Sequence, residues 1–531
     1  MTLQILTLTA ALLVTAILAV RWRYPLPQLE PRQTSFRATD TRDTPLGRGS
    51  AAAASGHDAT LSGVHLLSDG RSAFAARVLL AKAAVRTLDV QYYIWHNDLS
   101  GGLLLDALLE AANRGVRVRL LLDDNGIAGL DNTLAALDSH PDIEVRLFNP
   151  FVVRSPKWLG YATDFSRLNR RMHNKSFTAD NQASIIGGRN IGDEYFDARD
   201  EGLFADLDVL SIGRVVNEVS ADFDRYWAST SAYPASRILP PAPADALFRL
   251  VERGAARQHD TAAFRYLQAI RDLPFIEQML HGALPFEWSL IRMVSDDPAK
   301  GSGKAPEDGL LTHALREALE RPAREVRLIS GYFVPTQAGV DRFVRLARAG
   351  KDVAIFTNAF EASDVWMVHA GYAHHRKALL RAGVRLFEMR NATADGQQPR
   401  RRLLAAGSGT GNGEGPVLRS SGATLHAKTF SIDRREVFVG SFNFDPRSMH
   451  LNTELGFLIR SELIAQRISD AFGSGIPRTA YEVVLSDEGE LNWIEKGTDG
   501  SVHIKTNEPG TKCWQRVGIR TLSFLPIEWL L

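Results

Sequence analysis

The chain has 531 residues, 45% of them hydrophobic and 23% charged, which is the composition of a globular protein large enough for two or more domains. Its formal net charge is +1, from 62 basic and 61 acidic residues, and this balance argues against nucleic acid as the main partner. The single cysteine, Cys513, excludes an intramolecular disulfide, a cysteine-based zinc site and an iron–sulfur cluster.

The first 20 residues form an uncharged apolar run, which ends at Arg21 and Arg23. A helix of about 20 residues is just long enough to cross a hydrocarbon core of about 30 Å. A cleaved signal peptide would carry basic residues before its apolar run, whereas this sequence carries them after it. Residues 1–23 are therefore predicted to be an uncleaved membrane anchor, with a cleaved signal peptide as the alternative. The positive-inside rule then places the rest of the chain in the cytoplasm.

Two similar halves follow a segment without apolar periodicity. Residues 24–63 are rich in Pro, Arg, Thr, Ser and Ala, and are predicted to be a linker. Strands and helices then alternate in the order of a βαβ unit, which implies parallel strands. The first unit is predicted at 86–95, 101–115 and 116–126, and the second at 324–335, 339–350 and 351–360. The predicted α/β halves span 64–235 and 291–531, the second with a C-terminal extension, and a helical connection at 236–290 joins them.

A histidine and a lysine two residues apart occur twice, in "RMHNKSFTAD" (171–180) and "TLHAKTFSID" (424–433). In a strand, residues i and i+2 project from the same face, so each pair is expected to lie side by side. The two copies are 253 residues apart, and the same offset matches further residues. The matched residues are His173 and His426, Lys175 and Lys428, Phe177 and Phe430, Asp180 and Asp433, Gly187 and Gly440, Asn190 and Asn443, and Glu201 and Glu454. Several polar identities at one register indicate an internal duplication.

These residue types suit phosphoryl transfer. Histidine acts as a nucleophile or proton carrier near neutral pH, and lysine supplies a fixed positive charge for phosphate oxygens. Asparagine adds an uncharged donor, and a glutamate bonded to the other ring nitrogen of the histidine fixes its tautomer. Two such sets facing each other provide one histidine to attack phosphorus and one to protonate the leaving oxygen. This division explains the duplication and predicts a site without metal or cofactor.

The two motifs, with "GGRN" and "GSFN" after them, resemble the paired HKD motifs of the phospholipase D superfamily. The stretches "VQYYIWHNDLSG", "RGVRVRLLLDD" and "GYFVP" are similar to bacterial cardiolipin synthases, in particular to the C-type group. The resemblance covers residues from about 60 to the C-terminus. It implies an α/β fold of two phospholipase D-like lobes with mixed β-sheets flanked by helices, and an active site between the lobes.

The resemblance also implies a role for each matched residue. One histidine forms a phosphohistidine, and which of the two attacks stays open, although the family more often uses the first. The implied catalytic residues are His173, Lys175, His426, Lys428, Glu201 and Glu454. The implied phosphate-binding residues are Asn190, Asn443 and Ser441, although the first-half partner of Ser441 is Gly188. Asp180 and Asp433 are expected to be structural.

The leading functional hypothesis is a membrane-anchored phosphatidyltransferase in the bacterial inner membrane, with its catalytic part in the cytoplasm. It would form cardiolipin from phosphatidylglycerol and a second phospholipid, for which phosphatidylethanolamine is one candidate. The alternatives are a phospholipase D that hydrolyses phospholipids, a phosphodiesterase acting on nucleic acid, and an inactive membrane scaffold. The donor headgroup, the need for an accessory protein and the oligomeric state stay open. The apolar run 149–165 suits either a membrane-facing lip or part of the core.

Overall fold

The apolar N-terminal run forms one helix, α1 (Thr2–Arg23), which has the length and composition to cross a membrane. None of its most apolar stretch is buried against the rest of the protein. The structure is a computed structural model and describes residues 2–199, 204–320, 322–363, 365–391, 424–497 and 499–522.

The first half contains nine strands and six helices among the described residues. Its strands are β1 (Ser62–Leu67), β2 (Thr87–Ile94), β3 (Arg117–Gly126), β4 (Ile143–Phe148), β5 (Ser176–Ala179), β6 (Ala183–Gly187), β7 (Phe204–Ala205), β8 (Asp208–Gly213) and β9 (Ala232–Pro234). Its helices are α2 (Pro45–Ala53), α3 (Gly70–Ala83), α4 (Leu99–Asn113), α5 (Asp131–Asp138), α6 (Trp158–Leu168) and α7 (Arg214–Trp227). A connection follows with the 3-10 turn Ala235–Arg237 and the helices α8 (Ala246–Gln258), α9 (Thr261–Arg271) and α10 (Pro274–Leu280).

The second half repeats this pattern and adds a C-terminal hairpin and helix. Its strands are β10 (Glu287–Ser295), β11 (Glu325–Ser330), β12 (Asp352–Asn358), β13 (Arg385–Met389), β14 (Thr424–Leu425), β15 (Lys428–Ile432), β16 (Glu436–Gly440), β17 (Leu455–Arg460), β18 (Ala480–Leu485), β19 (Leu491–Lys496) and β20 (Val502–Lys505). Its helices are α11 (Leu311–Glu320), α12 (Gln337–Arg348), α13 (Trp366–Arg381), α14 (Pro446–His450), α15 (Glu462–Ala471), α16 (Ile476–Thr479) and α17 (Cys513–Leu522). Short 3-10 turns lie at Pro298–Ser302, Glu307–Gly309 and Phe360–Ala362.

Both halves build the same mixed sheet. In the first, β2, β3 and β4 are parallel, and β5, β6, β8 and β1 extend the sheet antiparallel from β2. In the second, β11, β12 and β13 are parallel, and β15, β16, β17 and β10 extend it from β11. The predicted fold class is therefore confirmed.

The two sheets meet edge to edge, because β1 pairs antiparallel with β10, with Gly63 opposite Trp288. Residues 287–289 of β10 pair with β1, whereas residues 290–295 pair with β17 of the second lobe. We propose β10 as the junction between the lobes, close to the boundary predicted at residues 290 and 291. One buried cluster combines residues of both lobes, among them Val209 and Phe457, so the lobes share part of their core.

Residues 24–63, which the sequence predicts to be a linker, make contacts with the first lobe. Their backbone carbonyl groups accept hydrogen bonds from buried side chains of the first lobe, for example Gln33 from Arg146 at 2.5 Å and Ser35 from Arg119 at 2.9 Å. These contacts use backbone atoms, so they leave no apolar period in the sequence. The segment also contains α2, whose first turn is capped by the Thr44 hydroxyl.

Candidate active site

His173 lies beside an acid of the opposite lobe. A short backbone ladder holds it there, because the His173 N–H donates to the Thr453 carbonyl at 2.9 Å. The next residue, Glu454, is fully buried and accepts from His173 Nδ1, with distances of 2.8 and 3.0 Å to its two oxygens. The Ser441 hydroxyl donates to the same carboxylate. Ser441 therefore contacts the acid that positions His173, and its contact with phosphate stays a prediction.

His426 repeats the arrangement with the lobes exchanged. Its N–H donates to the Ala205 carbonyl at 2.8 Å, and β14 pairs with β7 at this point. The next residue, Asp206, lies 2.5 Å from His426 Nδ1. A Cβ atom on Gly188, the counterpart of Ser441, would lie 2.1 Å from the Asp206 carboxylate. Glycine at this position therefore leaves room for the acid.

Asp206 occupies the place that the constant offset assigned to Glu201. The Gly188 N–H donates to the Leu207 carbonyl, and the Ser441 N–H donates in the same way to that of Leu455. Leu207 and Leu455 are thus equivalent but only 248 residues apart, because the first-half loop before Asp206 is longer. Glu201 itself lies outside the described residues. Alignment of the buried strands β8 and β17, instead of a fixed register, is the sequence signal that points to Asp206.

The four basic groups form one electrostatic unit. Burial, followed by the charges of Lys175, Lys428 and His426, holds the pKa of His173 well below its usual value. Burial likewise lowers the pKa of Lys175, against the attraction of Glu454. Lys175 Nζ donates to the His173 carbonyl at 2.5 Å, and Lys428 Nζ donates to the His426 carbonyl. The charges of Lys428 and His426 act on His173 of the other lobe, so both half-sites face the same space. An anion bound there would offset the repulsion among these basic groups.

Burial also lowers the pKa of His426, and the Lys428 charge adds to this effect against the opposing pull of Asp206. Burial alone would raise the pKa of Asp206, but the charges of His426 and Lys428 hold it well below its usual value. Asp206 is therefore an anion at neutral pH and accepts a hydrogen bond from the Nδ1–H of His426.

Aromatic rings line the histidines, and the sequence motifs gave no sign of them. The Tyr93 ring meets the His173 ring edge-on with 5.0 Å between centroids. The rings of Tyr195 and Phe204 lie 5.2 and 5.1 Å from that of His426. These contacts fix the ring planes, which an enzyme with a histidine nucleophile requires.

Comparison with known proteins agrees with this geometry. A family model described as cardiolipin synthase, PLD-like domain, matches residues 78–227 and 315–475, which include both histidines and both acids described above. The chain belongs to this cardiolipin synthase family. Cardiolipin synthase C of Escherichia coli (strain K12) is 50% identical over 88% of this chain and 96% of its own length. An uncharacterized protein of Helicobacter pylori is 31% identical over 85% of this chain and 86% of its own.

A solved structure shares the fold of this cardiolipin synthase family member. The crystal structure of a phosphatidylserine synthase from Haemophilus influenzae Rd KW20 superposes with a TM-score of 0.50 at 13% identity. The superposition covers 83% of this chain and 92% of that one. At this identity the likeness concerns the fold alone.

The two predicted phosphate-binding asparagines differ in their surroundings. Asn190 accepts from the Ile94 N–H at 3.2 Å and donates to the Tyr195 hydroxyl at 3.0 Å. The Asn443 side-chain oxygen is buried and lacks a hydrogen-bond partner among the described residues. We propose that both amides face the substrate phosphate.

The motif aspartates of this cardiolipin synthase family member make structural contacts. The buried Asp180 carboxylate accepts from the successive backbone N–H groups of residues 85–87, where β2 begins. Asp433 does the same for residues 323–325, where β11 begins. Each aspartate therefore fixes the start of the strand that pairs with its own motif strand.

Replacing Asp180 by alanine is expected to destabilise the fold by about 2–3 kcal/mol, because three backbone donors lose their acceptor. The matched change Asp433→Ala should cost less, since Asp433 is only partly buried, whereas Asp180 is fully buried, and water can replace the Asp433 carboxylate. Thermal unfolding of the detergent-solubilised proteins measures both effects. Equal losses for the two variants would contradict the difference in burial.

The raised pKa of the buried Glu454 makes the free energy of unfolding depend on pH. Burial raises its pKa to about 7 from an ordinary value of 4.5, against the lowering effect of Lys175 and Ser441. Between these values the folded protein keeps a proton that the unfolded chain releases, so stability falls as pH rises from 4.5 to 7. Glu454→Gln should remove a contribution of at most about 3 kcal/mol to this fall.

The measurement is the change in melting temperature between about pH 5 and about pH 7.5. Within this range the folded and unfolded states differ by up to about one bound proton at Glu454. The melting temperature of the wild-type protein should fall more between these two pH values than that of Glu454→Gln. The exposed Glu490 provides a control, and Glu490→Gln should behave like wild type. Identical pH dependence in wild type and Glu454→Gln would contradict the assignment.

Proposed function

We propose that the protein is a membrane-anchored phosphatidyltransferase, which forms cardiolipin from phosphatidylglycerol and a second phospholipid through a phosphohistidine intermediate. The observation that carries the proposal is the pairing of His173 with Glu454 and of His426 with Asp206, each across the lobe boundary. Two histidines, each oriented by an acid, provide the nucleophile and the proton carrier that a two-step transfer needs. The 50% identity to cardiolipin synthase C of Escherichia coli supports the same activity.

In the first step, Nε2 of one histidine attacks the phosphorus of a phospholipid, while its Nδ1–H donates to the acid of the other lobe. The phosphorus–oxygen bond to the headgroup breaks as the phosphorus–nitrogen bond forms. The second histidine, whose protonated form the bound phosphate anion stabilises, gives its Nε2 proton to the departing headgroup oxygen, which leaves as an alcohol. We propose that Lys175, Lys428, Asn190 and Asn443 hold the two non-bridging phosphate oxygens throughout.

In the second step, the now neutral second histidine takes the proton from the free glycerol hydroxyl of phosphatidylglycerol. That oxygen attacks phosphorus, the phosphorus–nitrogen bond breaks, and both histidines return to their starting states. The product carries two phosphatidyl groups on one glycerol, which is cardiolipin. Burial of both histidines favours this acceptor over water, because a closed site limits hydrolysis of the intermediate.

We propose that α1 crosses the bacterial inner membrane once and that the catalytic part lies in the cytoplasm. The arginines at the C-terminal end of α1 support this orientation. One of them, Arg21, lies 3.3 Å from Asp164 of α6, so the end of the anchor touches the first lobe. The boundaries of the lobes and of the helical connection stay predictions from the sequence.

Lipid analysis tests the proposal. The purified full chain receives phosphatidylglycerol in mixed micelles, with and without isotope-labelled phosphatidylethanolamine, and the products are resolved by mass spectrometry. Cardiolipin is expected, and the label in it identifies the donor headgroup. Phosphatidic acid as the only product would show that the protein hydrolyses phospholipids. No turnover of either lipid would contradict the proposal that the protein acts on phospholipids.

A chelator is expected to leave the rate unchanged, because the proposed steps use no metal. Among the described residues, His96, Asp98 and Glu194 offer ligand atoms within 4.8 Å of one another, so they are the group to vary in this test. If a chelator lowers the rate and His96→Gln removes that sensitivity, the metal-free mechanism is wrong.

A further inference from the structure

We propose that the second lobe has its own contact with the phospholipid bilayer, through a surface formed by Trp366, Met367, Trp514 and Val517. We call this surface the aromatic patch. It belongs to the second lobe, whereas the α1 anchor contacts the first lobe. Binding of the patch to a bilayer does not depend on catalysis, so it can be tested with a catalytically inactive protein.

The outward face of α17 is apolar where solvent exposure would favour polar residues. On its inner face, Ile519 is buried in a cluster with Phe360 and Ala370. On its outer face, Trp514 and Val517 are 62% and 61% exposed. These two residues are three apart and therefore neighbours on the helix surface.

Helix α13 continues the same surface. The rings of Trp514 and Trp366 lie 5.6 Å apart, and Trp366 and Met367 are 37% and 38% exposed. Trp366 and Trp514 thus join the two helices, and Met367 and Val517 are further exposed residues of α13 and α17 without cover from the described part of the chain. Exposed apolar groups in such a cluster are typical of an interaction surface, and tryptophan is enriched where proteins meet the membrane interface.

The patch lies close to His426. Strand β12 ends at Asn358, whose side chain exchanges two hydrogen bonds of 2.8 Å with the backbone of Leu425. Leu425 directly precedes His426. The 3-10 turn after Asn358 carries Phe360, whose ring lies 5.1 Å from that of Trp366. The patch therefore projects from the sheet edge at which the active site lies.

The anchor reaches the same edge from the first lobe. Helix α6, which Arg21 of α1 contacts, is bound to the end of β3 by a 3.0 Å hydrogen bond from Tyr161 to Asn125. Its Trp158 and Phe165 are exposed, whereas Phe151 before it is buried. The run 149–165 thus supplies both core and an outward apolar surface. A bilayer at the end of α1 lies next to α6, which is bound to the end of β3. The aromatic patch lies beyond the end of β12, which is the middle parallel strand of the second lobe as β3 is of the first.

Charge favours a lipid surface over a second copy of this chain as the partner of the patch. Residues 505–522 contain four basic residues, Lys505, Lys512, Arg516 and Arg520, and one acid, Glu508, and of the basic residues Lys505 is paired with Glu495. The acid is engaged by Arg376 and His369. A basic helix with exposed tryptophan suits the surface of an anionic bilayer, whereas two such helices would repel each other.

Cys513 gives a direct test. It is exposed, the chain has no other cysteine, and it precedes Trp514 on α17. A thiol-reactive, environment-sensitive dye on Cys513 reports on the patch in the full chain after reconstitution into vesicles of phosphatidylcholine and phosphatidylglycerol. We expect blue-shifted emission that nitroxide lipids quench, more strongly when the nitroxide lies near the headgroup than near the chain end.

The control is a matched helical pair of similar exposure, Phe248 and Val251 of α8, which are 65% and 51% exposed. Replacing Trp514 and Val517 by serine should abolish the quenching, whereas the same changes at Phe248 and Val251 should leave it intact. If the variant with serine at Trp514 and Val517 does not fold, quenching of the label on the wild-type chain still tests the proposal. Solvent-like, unquenched emission would overturn the proposal. A blue shift without nitroxide quenching that vanishes on dilution would also overturn it, by assigning the patch to a second copy.

Discussion

His173→Ala and His426→Ala are each expected to lower phosphatidyl transfer on the order of 10⁴-fold, because each removes either the nucleophile or the proton carrier. Both rings are largely shielded from solvent, and each is hydrogen-bonded to an acid of the other lobe, so neither half-site can operate alone. The double variant should be no worse than either single one, since residues that act as one unit are not additive.

The assay is cardiolipin formation in mixed micelles, with the melting temperature as a check on folding. His503, exposed on β20, supplies the control variant His503→Ala, which should keep full activity. Retention of more than about a tenth of the wild-type rate in either motif variant would contradict a shared site, since general acid–base catalysis alone is typically worth about 10²-fold or more.

Asp206→Asn is expected to lower the rate on the order of 10³-fold with little effect on folding. The carboxylate accepts a hydrogen bond from the Nδ1–H of His426 at 2.5 Å, and an amide in its place can donate to that nitrogen and select the wrong tautomer. Because the His426 and Lys428 charges keep the pKa of Asp206 low, the loss should persist across the neutral pH range.

Glu201→Gln is the decisive comparison, since the constant sequence offset predicted that residue for the same role. It should retain activity close to that of wild type. A large loss in Glu201→Gln together with a small loss in Asp206→Asn would restore the prediction from the sequence and contradict the structural assignment.

The duplicated motif made the fold predictable to a large extent, because a parallel βαβ order leaves few arrangements for the chain. Predicted strands such as 86–95 and 351–360 match β2 and β12 within two residues. The family resemblance predicted a structural role for Asp180 and Asp433, which the motif repeats beyond the histidine and lysine. Their backbone contacts at two strand starts explain the repetition.

The cross-lobe contacts could not be predicted. The equivalence of Asp206 with Glu454 is hidden by a loop of different length, and a fixed offset cannot detect an insertion. The course of residues 24–63 depends on backbone carbonyl groups, which leave no trace in side-chain patterns. Tyr93 and Tyr195 lie outside both motifs, and only the folded chain brings them to the histidines.

The configuration at phosphorus tests the covalent mechanism most directly. Each in-line displacement inverts phosphorus, so transfer through a phosphohistidine retains the configuration after two steps, whereas a single direct displacement inverts it. A phosphorothioate analogue of the donor lipid with one configuration at phosphorus would be converted by the purified full chain and its product analysed by phosphorus NMR. The proposed pair of histidines predicts a cardiolipin analogue with retained configuration, and inversion would contradict the phosphohistidine intermediate.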